Sequence, residues 1–166
     1  ALDIDADKVE KIQRRISPIE DEMIQDYLAN KPLALTATTD KATAFEGADF
    51  VVVATPTDYD PETHYFDTRS VEAVIRDVQA VNPDTCIIIK STVPVGYTAS
   101  LQQTFPSSRL LFSPEFLREG RALYDNLYPS RIVVGGDCDA ARTFAGLLSE
   151  GAIREDVPML FTDSTE

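Results

Sequence analysis

Short, almost wholly apolar runs alternate along the chain with longer stretches in which apolar residues recur every three or four positions. A continuous apolar run predicts a strand covered on both faces, and the wider spacing predicts an amphipathic helix. Strands of the first kind are predicted at 49–56 (DFVVVATP) and 85–92 (TCIIIKST). RLLFS, RIVVGG and PMLFTD predict three more, and LALTAT (33–38) alternates as a half-buried strand does.

Helices are predicted between these strands. Residues 5–16 predict one helix, with Val9, Ile12 and Ile16 on one face. SPIE (17–20) has the pattern of a capping box with Ser17 as N-cap, which predicts a second helix that extends to about Leu28. Shorter patterns predict helices in KATAFEG, closing at Gly47, and in YTASLQQTF and DAARTFAGLLSE. In SVEAVIRDVQAV five residues keep helical spacing: Val71, Val74, Ile75, Val78 and Val81. The stretch before it, TDYDPETHYFDT, is predicted to be a polar loop.

This alternation predicts an α/β fold: a doubly wound, Rossmann-like, mostly parallel sheet with helices on both faces. Ligands of such sheets bind beyond the carboxyl ends of the strands. The segments to inspect for function therefore follow the strands: 3–5, 55–57, 90–95 and SPEFLREG (113–120).

SPEFLREG has two interpretations. Ser113 is a good N-cap, Pro114 suits the first helical position and Glu115 favours the positive end of the helix dipole, so the segment can simply start a helix. Alternatively, Glu115 and Glu119 form a carboxylate pair that does chemistry at the ligand-binding edge. Its position after a predicted strand is compatible with both.

The charge and the hydropathy narrow the classes of partner. A net charge of −13 argues against nucleic acid and anionic membrane, which need a basic surface. Apolar runs are too short to cross a bilayer, and the ALDIDADK start predicts no signal peptide. A phosphorylated ligand stays compatible with the acidic chain, because backbone N–H groups and a few cations can bind it.

The cysteines and the single histidine support neither a metal site nor a Ser–His–Asp site. Cys86 lies in TCIIIK and is predicted to be a buried core thiol, while two aspartates flank Cys138 and favour an inert thiol there. His64 lies in the polar loop and is predicted to be solvated. A reducing, cytoplasmic location is the expectation.

The first residues, ALDID, look like the tail of a strand that ends in an acid and leads into a helix. In dinucleotide-binding units such an acid receives the ribose hydroxyls, about 20 residues after a glycine-rich turn. The pattern G-x-G-x-x-G does not occur in these 166 residues. Asp3 is therefore either a helix cap or a ribose ligand.

Several strings together resemble one family: ALDIDADKVEKI, ISPIEDEMIQDYL, VVVATPTDYD, IIIKSTVPVGYT and LLFSPEFLREGRALYDNLYPSRIVVGG. They resemble the UDP-glucose 6-dehydrogenases of the short bacterial form, within the nucleotide-sugar dehydrogenases, from Asp3 to about Asp163. Relatives that act on GDP-mannose or UDP-N-acetylmannosamine share the P-E-F segment less closely, so UDP-glucose is the expected substrate. The resemblance implies oxidation of the sugar C6 alcohol to a carboxylate by two NAD molecules, through an enzyme-bound thioester, giving UDP-glucuronate for surface polysaccharide.

The resemblance also implies roles for individual residues. Asp3 would hold the adenosine ribose of NAD with Lys8 nearby, and Thr57 and Thr92 would line the cofactor path. The following residues would contact the sugar nucleotide: Glu115, Phe116, Leu117, Arg118, Glu119 and Tyr124.

Three of these residues would be catalytic by the same resemblance. Thr92 and Glu115 would hold and activate a water molecule during proton transfer and thioester hydrolysis. Glu119 would sit between the nicotinamide and the substrate. The alternative for Thr92 is a strand-end hydroxyl group that caps the following turn.

Several segments that the family has are not matched by these residues. Family members are more than twice as long, and the first strand, the glycine-rich turn, and the second domain with its nucleophilic cysteine are not matched here. Residues 1–166 are therefore expected to form a single partial NAD-binding domain, inactive alone, and Cys86 and Cys138 do not match the nucleophile. A first strand would lie in the middle of the sheet, so its loss would expose two edges and favour self-association, and we expect a homo-oligomer. A non-catalytic fragment that binds a nucleotide or nucleotide sugar is the alternative.

Overall fold

Seven strands and seven helices occur in the computed structural model, which describes residues 1–62 and 65–165. The strands are β1 (Phe50–Val53), β2 (Tyr59–Asp60), β3 (Tyr65–Phe66), β4 (Cys86–Ile89), β5 (Arg109–Phe112), β6 (Ile132–Gly135) and β7 (Met159–Thr162). The helices are α1 (Ala6–Gln13), α2 (Glu22–Asn30), α3 (Lys41–Phe45), α4 (Arg69–Val81), α5 (Tyr97–Thr104), α6 (Ala122–Leu127) and α7 (Asp139–Gly151). Among these, none has both the length and the apolar character that crossing a bilayer requires.

The main sheet has five strands in the order β1-β4-β5-β6-β7. β1, β4 and β5 are parallel, β6 runs antiparallel to β5, and β7 is again parallel to β6. This architecture confirms the predicted doubly wound, mostly parallel α/β fold. β2 and β3 form a separate antiparallel pair within the segment predicted to be a loop, where Tyr59 stacks on Phe66 at 4.8 Å. His64 lies outside the described residues.

Two apolar cores cover the two faces of the sheet, because successive strand residues point to opposite sides. On one face, helix α4 packs its fully buried residues against the strands: Val71, Ile75 and Val78 meet Val51, Val53, Ile87 and Ile89. On the other face, α7 packs against β4 and β6 through Ala141, Phe144 and Ala145. The burial of β4 on both faces is thus confirmed, and so is the periodicity predicted for α4 except at Val81, the last helical residue, which is 38% exposed.

β1 is not buried on both faces as predicted. It is an edge strand of the main sheet, and its Val52 side chain is 47% exposed. Phe50, on the same face, is covered because it packs on Phe144 at 5.7 Å. The apolar run therefore predicted the strand correctly, but the predicted burial of both of its faces is wrong.

The predicted strand 33–38 is reduced to a single parallel bridge between Leu2 and Thr38. The backbone N–H of Thr38 donates to the carbonyl of Ala1 at 2.9 Å, and that of Asp3 donates to Thr38 at 3.3 Å. Among the described residues, the extended partner of this segment is residues 1–3, which form a bridge with it and no ladder. Alternation of apolar and polar residues indicates an extended chain, but it does not indicate how many residues of a neighbouring strand will pair with it.

Helix boundaries near the N-terminus also differ from the prediction. SPIE does not cap α2: the Ser17 hydroxyl group donates to the carbonyl of Ile19 at 2.7 Å, and α2 starts after Asp21. Asp21 is 6% exposed, and its carboxylate accepts the N–H groups of Met23 and Ile24. A carboxylate at this position also interacts with the helix dipole, which a hydroxyl group does only weakly. Upstream, α1 ends at Gln13, so Ile16 lies outside it and is 45% exposed.

Replacing Asp21 with alanine is expected to lower the free energy of unfolding by about 1–2 kcal/mol, because α2 loses its cap. Asp21 Oδ2 also accepts the N–H of Leu123 at 3.4 Å, so the loop before α6 loosens as well. Urea denaturation measures the change. Ser17→Ala is the control and should stay within about 0.5 kcal/mol; a larger loss there than in Asp21→Ala would contradict the assignment of the cap.

Candidate functional site

The loops that follow β1, β4 and β5 are held at one edge of the sheet by backbone hydrogen bonds beyond the strand ends. The carbonyl of Val53 accepts the N–H groups of both Lys90 and Ser91, at 2.8 and 3.1 Å. The N–H of Ser113 donates to the carbonyl of Ile89 at 2.9 Å. Three segments named by the sequence pattern therefore start from one fixed edge, where ligands of parallel sheets bind.

SPEFLREG does not start a helix. Residues 113–118 are irregular, and α6 begins only at Ala122. Ser113 is 2% exposed, and its hydroxyl group donates to the carbonyl of Val133 at 2.9 Å, so it joins β5 to β6 and is not available as a cap. Glu115 and Glu119 consequently do not lie one helical turn apart, and the helix-start interpretation is wrong.

Thr57 and Thr92, both predicted to line the cofactor path, are brought into contact. The Thr57 hydroxyl group donates to the backbone carbonyl of Thr92 at 2.5 Å. The neighbouring Ser91 hydroxyl group donates to the carbonyl of Thr55 at 2.7 Å, so two hydroxyl groups tie the loop after β4 to the loop after β1. The side chain of Thr92 is exposed at this edge.

A cavity of about 420 Å³ lies beside this edge. Its volume falls in the range of roughly 300–1,000 Å³ that is usual for small-molecule sites. It is lined by the segment after β5, by α6 and the loop that follows it, by the start of β6 and by the end of α7. Five of the residues predicted to contact a sugar nucleotide line it: Glu115, Phe116, Leu117, Arg118 and Tyr124. Glu119 is exposed and is not among the lining residues.

Arg118 is engaged by a carboxylate of the same cavity. Its guanidinium donates to Asp125 at 2.5 Å (Nη2–Oδ1) and 3.0 Å (Nε–Oδ2), and its backbone N–H donates to Oδ2 at 2.8 Å. These bonds lower the pKa of Asp125 to about 2 and raise the pKa of Arg118. The pair fixes the segment after β5 onto α6, so Arg118 shapes the cavity wall as well as lining it.

Aromatic rings form much of the remaining wall. The guanidinium of Arg131 lies 4.4 Å from the centre of the Phe116 ring, a cation–π contact at the cavity. Tyr124 stacks on Tyr128 at 4.8 Å, and Arg121 lies over Tyr124 at 5.0 Å. Such a wall offers flat apolar surface to a ring, and Arg131 brings guanidinium N–H donors that can bind an anion.

Lys90 is a lining residue that sequence reasoning did not single out. It is half-buried; burial lowers its pKa, and the charge of Glu115 acts in the opposite direction. A lysine directly after a fully buried strand was the available signal, since a charged side chain at that position must lie at the edge of the sheet.

Asp3 and Lys8 are not among the residues that line the cavity. Asp3 follows the Leu2–Thr38 bridge and accepts the N–H of Asp5 through Oδ1 at 2.9 Å. The N-cap of α1 is Asp5, so the interpretation of Asp3 as a helix cap is wrong. Lys8 is exposed in the first turns of α1.

Neither cysteine lines the cavity. Cys86 is 2% exposed, as predicted for a core thiol, and burial raises its pKa to about 11. Cys138 is exposed at the N-terminus of α7. In the described ranges no three His, Cys, Asp or Glu side chains come together as metal ligands.

A mostly parallel sheet with helices on both faces and a polar-rimmed cavity at the carboxyl edge of its strands defines the doubly wound, nucleotide-binding class of α/β proteins. Residues 1–149 match the UDP-glucose/GDP-mannose dehydrogenase family, NAD binding domain. The chain belongs to this family.

Two curated relatives are similar over almost all of the chain. A UDP-glucose 6-dehydrogenase from Streptococcus pneumoniae is 52% identical over 96% of the chain, and one from Campylobacter jejuni is 45% identical over 99%. The chain spans 42% of the length of each. Among solved structures, a UDP-glucose dehydrogenase from Pyrobaculum islandicum matches 99% of the chain and 40% of its own, with a TM-score of 0.84 and 25% identity.

Replacing Arg118 with glutamine is expected to raise the pKa of Asp125 from about 2 toward the ordinary value of 3.8, because its main hydrogen-bond donor is lost. A carboxyl ¹³C titration by NMR measures this. Since the folded pKa is the lower one, the pair stabilises the fold above about pH 4, and that contribution disappears as the pH falls toward 2. Arg121→Gln is the charge-matched control, because Arg121 lowers this pKa least. Equal changes in both variants would contradict the assignment.

Proposed function

We propose that the protein containing this chain oxidises UDP-glucose to UDP-glucuronate with NAD, and that the cavity beside the sheet edge receives the nucleotide sugar. One observation carries the proposal: five residues expected at a sugar-nucleotide site line a single cavity, in a chain 52% identical to a UDP-glucose 6-dehydrogenase. The other substrates considered have weaker support: GDP-mannose is named by the family match and by a solved dehydrogenase of 19% identity, and UDP-N-acetylmannosamine by one of 20% identity.

The residues at the start of the chain suit the ribose end of NAD. Within the described residues, Asp3 Oδ1 accepts one backbone N–H, and its second carboxylate oxygen makes no hydrogen bond, which is the acceptor that ribose hydroxyls require. Thr57 and Thr92 would line the path from there to the cavity, and Lys8 would lie near Asp3. When bound, NAD supplies the hydride acceptor.

The residues of the cavity suit proton transfer at an alcohol. Glu115 lines the cavity on an irregular segment, where its carboxylate can accept a proton from a sugar hydroxyl group or from water. Thr92 would hold that water with its exposed hydroxyl group. Phe116, Leu117, Arg118 and Tyr124 would contact the ligand, and Glu119 would act at the nicotinamide side, outside the cavity lining.

The chain taken alone has a second candidate function. It spans 42% of the length of its relatives, so by itself it is proposed to bind a nucleotide or nucleotide sugar without turning it over. Sustained NADH formation from UDP-glucose by the 166-residue chain would reject this second candidate. Cytoplasmic location and assembly into a homo-oligomer remain predictions.

Asp3→Asn is expected to weaken NAD binding by about tenfold, the effect of losing a charge-assisted hydrogen bond of about 1.4 kcal/mol. Calorimetric titration of the chain with NAD measures it, and titration with UDP-glucose should be unaffected. Asp7→Asn is the matched control, because Asp7 makes the same charge change on the exposed first turn of α1. Equal losses in the two variants would show that only the overall charge matters.

In the protein containing this chain, Glu115→Gln is expected to lower kcat by 10²-fold or more, the usual magnitude for general acid–base groups, while Kd for NAD changes little. NADH formation from UDP-glucose and separate NAD titration give the two values. Glu46→Gln serves as the control, because Glu46 is an exposed carboxylate at the end of α3 and does not line the cavity. A variant that loses NAD affinity and keeps kcat would remove Glu115 from the proposed role.

A further inference from the structure

We propose that Lys90 is a positioning residue for Glu115: its ammonium group, carried by the residue that follows β4, attracts the Glu115 carboxylate and keeps it at the wall of the cavity. This inference deepens the proposed function, because it names the group that orients the proposed proton acceptor. Four observations lead to it.

Lys90 starts from a rigid part of the structure. It directly follows β4, whose four residues are all buried, and its backbone N–H donates to the carbonyl of Val53 at 2.8 Å. The next residue, Ser91, is bonded to the same carbonyl and to the carbonyl of Thr55. The Lys90 side chain is half-buried and lines the cavity. The backbone position from which its side chain reaches the cavity is therefore set by the sheet.

Glu115, in contrast, lies in a segment with no helix or strand, and its side chain is exposed. Its carboxylate makes no hydrogen bond or direct ion pair with any residue that the structure describes. Sites built on loops need support from fixed neighbours to hold a working geometry. Glu115 needs such a neighbour, and Lys90 lines the same cavity.

The two charges interact without touching. Lys90 and Glu115 line the same cavity, and, while burial lowers the pKa of Lys90, attraction to Glu115 raises it. No direct ion pair or hydrogen bond joins these two described residues. A ligand hydroxyl group bound between them would accept a hydrogen bond from the ammonium group and donate one to the carboxylate.

The other charged groups around the cavity leave this pairing open. The guanidinium of Arg118 already donates hydrogen bonds to both carboxylate oxygens of Asp125. Arg131 is the remaining cation of the lining, and it is held over the Phe116 ring. The lining tyrosines, Tyr124 and Tyr128, stack on each other. Lys90 is thus the lining cation that is left to pair with Glu115, and the charge of Glu115 raises its pKa.

The test follows the ¹³Cε resonance of Lys90 with pH in the 166-residue chain, with Lys90→Arg assigning the resonance by its loss. Glu115→Gln is expected to lower the titration midpoint of Lys90, because the attraction that favours its charged form is gone. Glu119→Gln is the matched control: it makes the same change four residues along the chain, outside the cavity lining, and should leave the midpoint in place. Identical midpoints in Glu115→Gln and in the parent chain, or equal shifts in the two variants, overturn the proposal.

A second readout tests positioning itself. Three-bond Hα–Hβ couplings of Glu115 report its χ1 rotamer, and Lys90→Met is expected to move them toward rotamer-averaged values, whereas Lys90→Arg keeps one rotamer dominant. The couplings of Glu119 should not change. Glu115 couplings that stay the same in Lys90→Met overturn the proposal. Neither readout uses NAD or UDP-glucose, so failure here is distinguishable from failure of the proposed function, which the ligand titrations decide.

Discussion

The structure depends on the backbone hydrogen bonds that continue the β1–β4–β5 ladder past the last residue of each strand. One carbonyl, that of Val53, accepts two N–H groups from the loop after β4, and the carbonyl of Ile89 accepts one from the loop after β5. These bonds bring segments about 30 residues apart in sequence to one edge, level with one another. The cavity, its lysine and the paired threonines all start from that alignment.

The distribution of charge gives the cavity a different character from the rest of the surface. The chain carries a net charge of −13, yet three cations line the cavity beside two carboxylates: Lys90, Arg118 and Arg131, with Glu115 and Asp125. Concentrating positive charge locally lets an acidic protein attract an anionic ligand without attracting polyanions in general. The exclusion of nucleic acid that the overall charge predicts therefore does not extend to a phosphorylated small molecule.

Much of the architecture was predictable because it depends on local apolar patterns. Continuous apolar runs located β1, β4, β5, β6 and β7, and helical spacing located α4 and α7. Burial of Val52 and a strand at 33–38 were predicted wrongly, since both depend on what lies beside a strand, which a local pattern does not contain. Capping was also ambiguous, because Ser17 and Asp21 are both competent caps and only the path of the chain decides between them.

The site was predictable in outline, through resemblance and through the rule that ligands bind at strand ends. The irregular course of 113–118 was not, because Ser113 bonds across to β6, a contact between residues 20 apart that no helix-capping rule anticipates. Lys90 was missed for a similar reason. Its significance comes from the neighbours that the fold supplies, whereas its own position in the sequence is simply the end of a strand.

The different environments of the two thiols have a practical consequence for labelling this protein in solution. Cys86 is buried and its pKa is about 11, so near neutral pH it is both shielded and protonated, and alkylating dyes react with thiolates. Cys138 is open to solvent at the N-terminus of α7, whose far end contributes to the cavity wall. The unaltered chain thus offers a single labelling position, from which a fluorophore could report on that helix without any engineered cysteine.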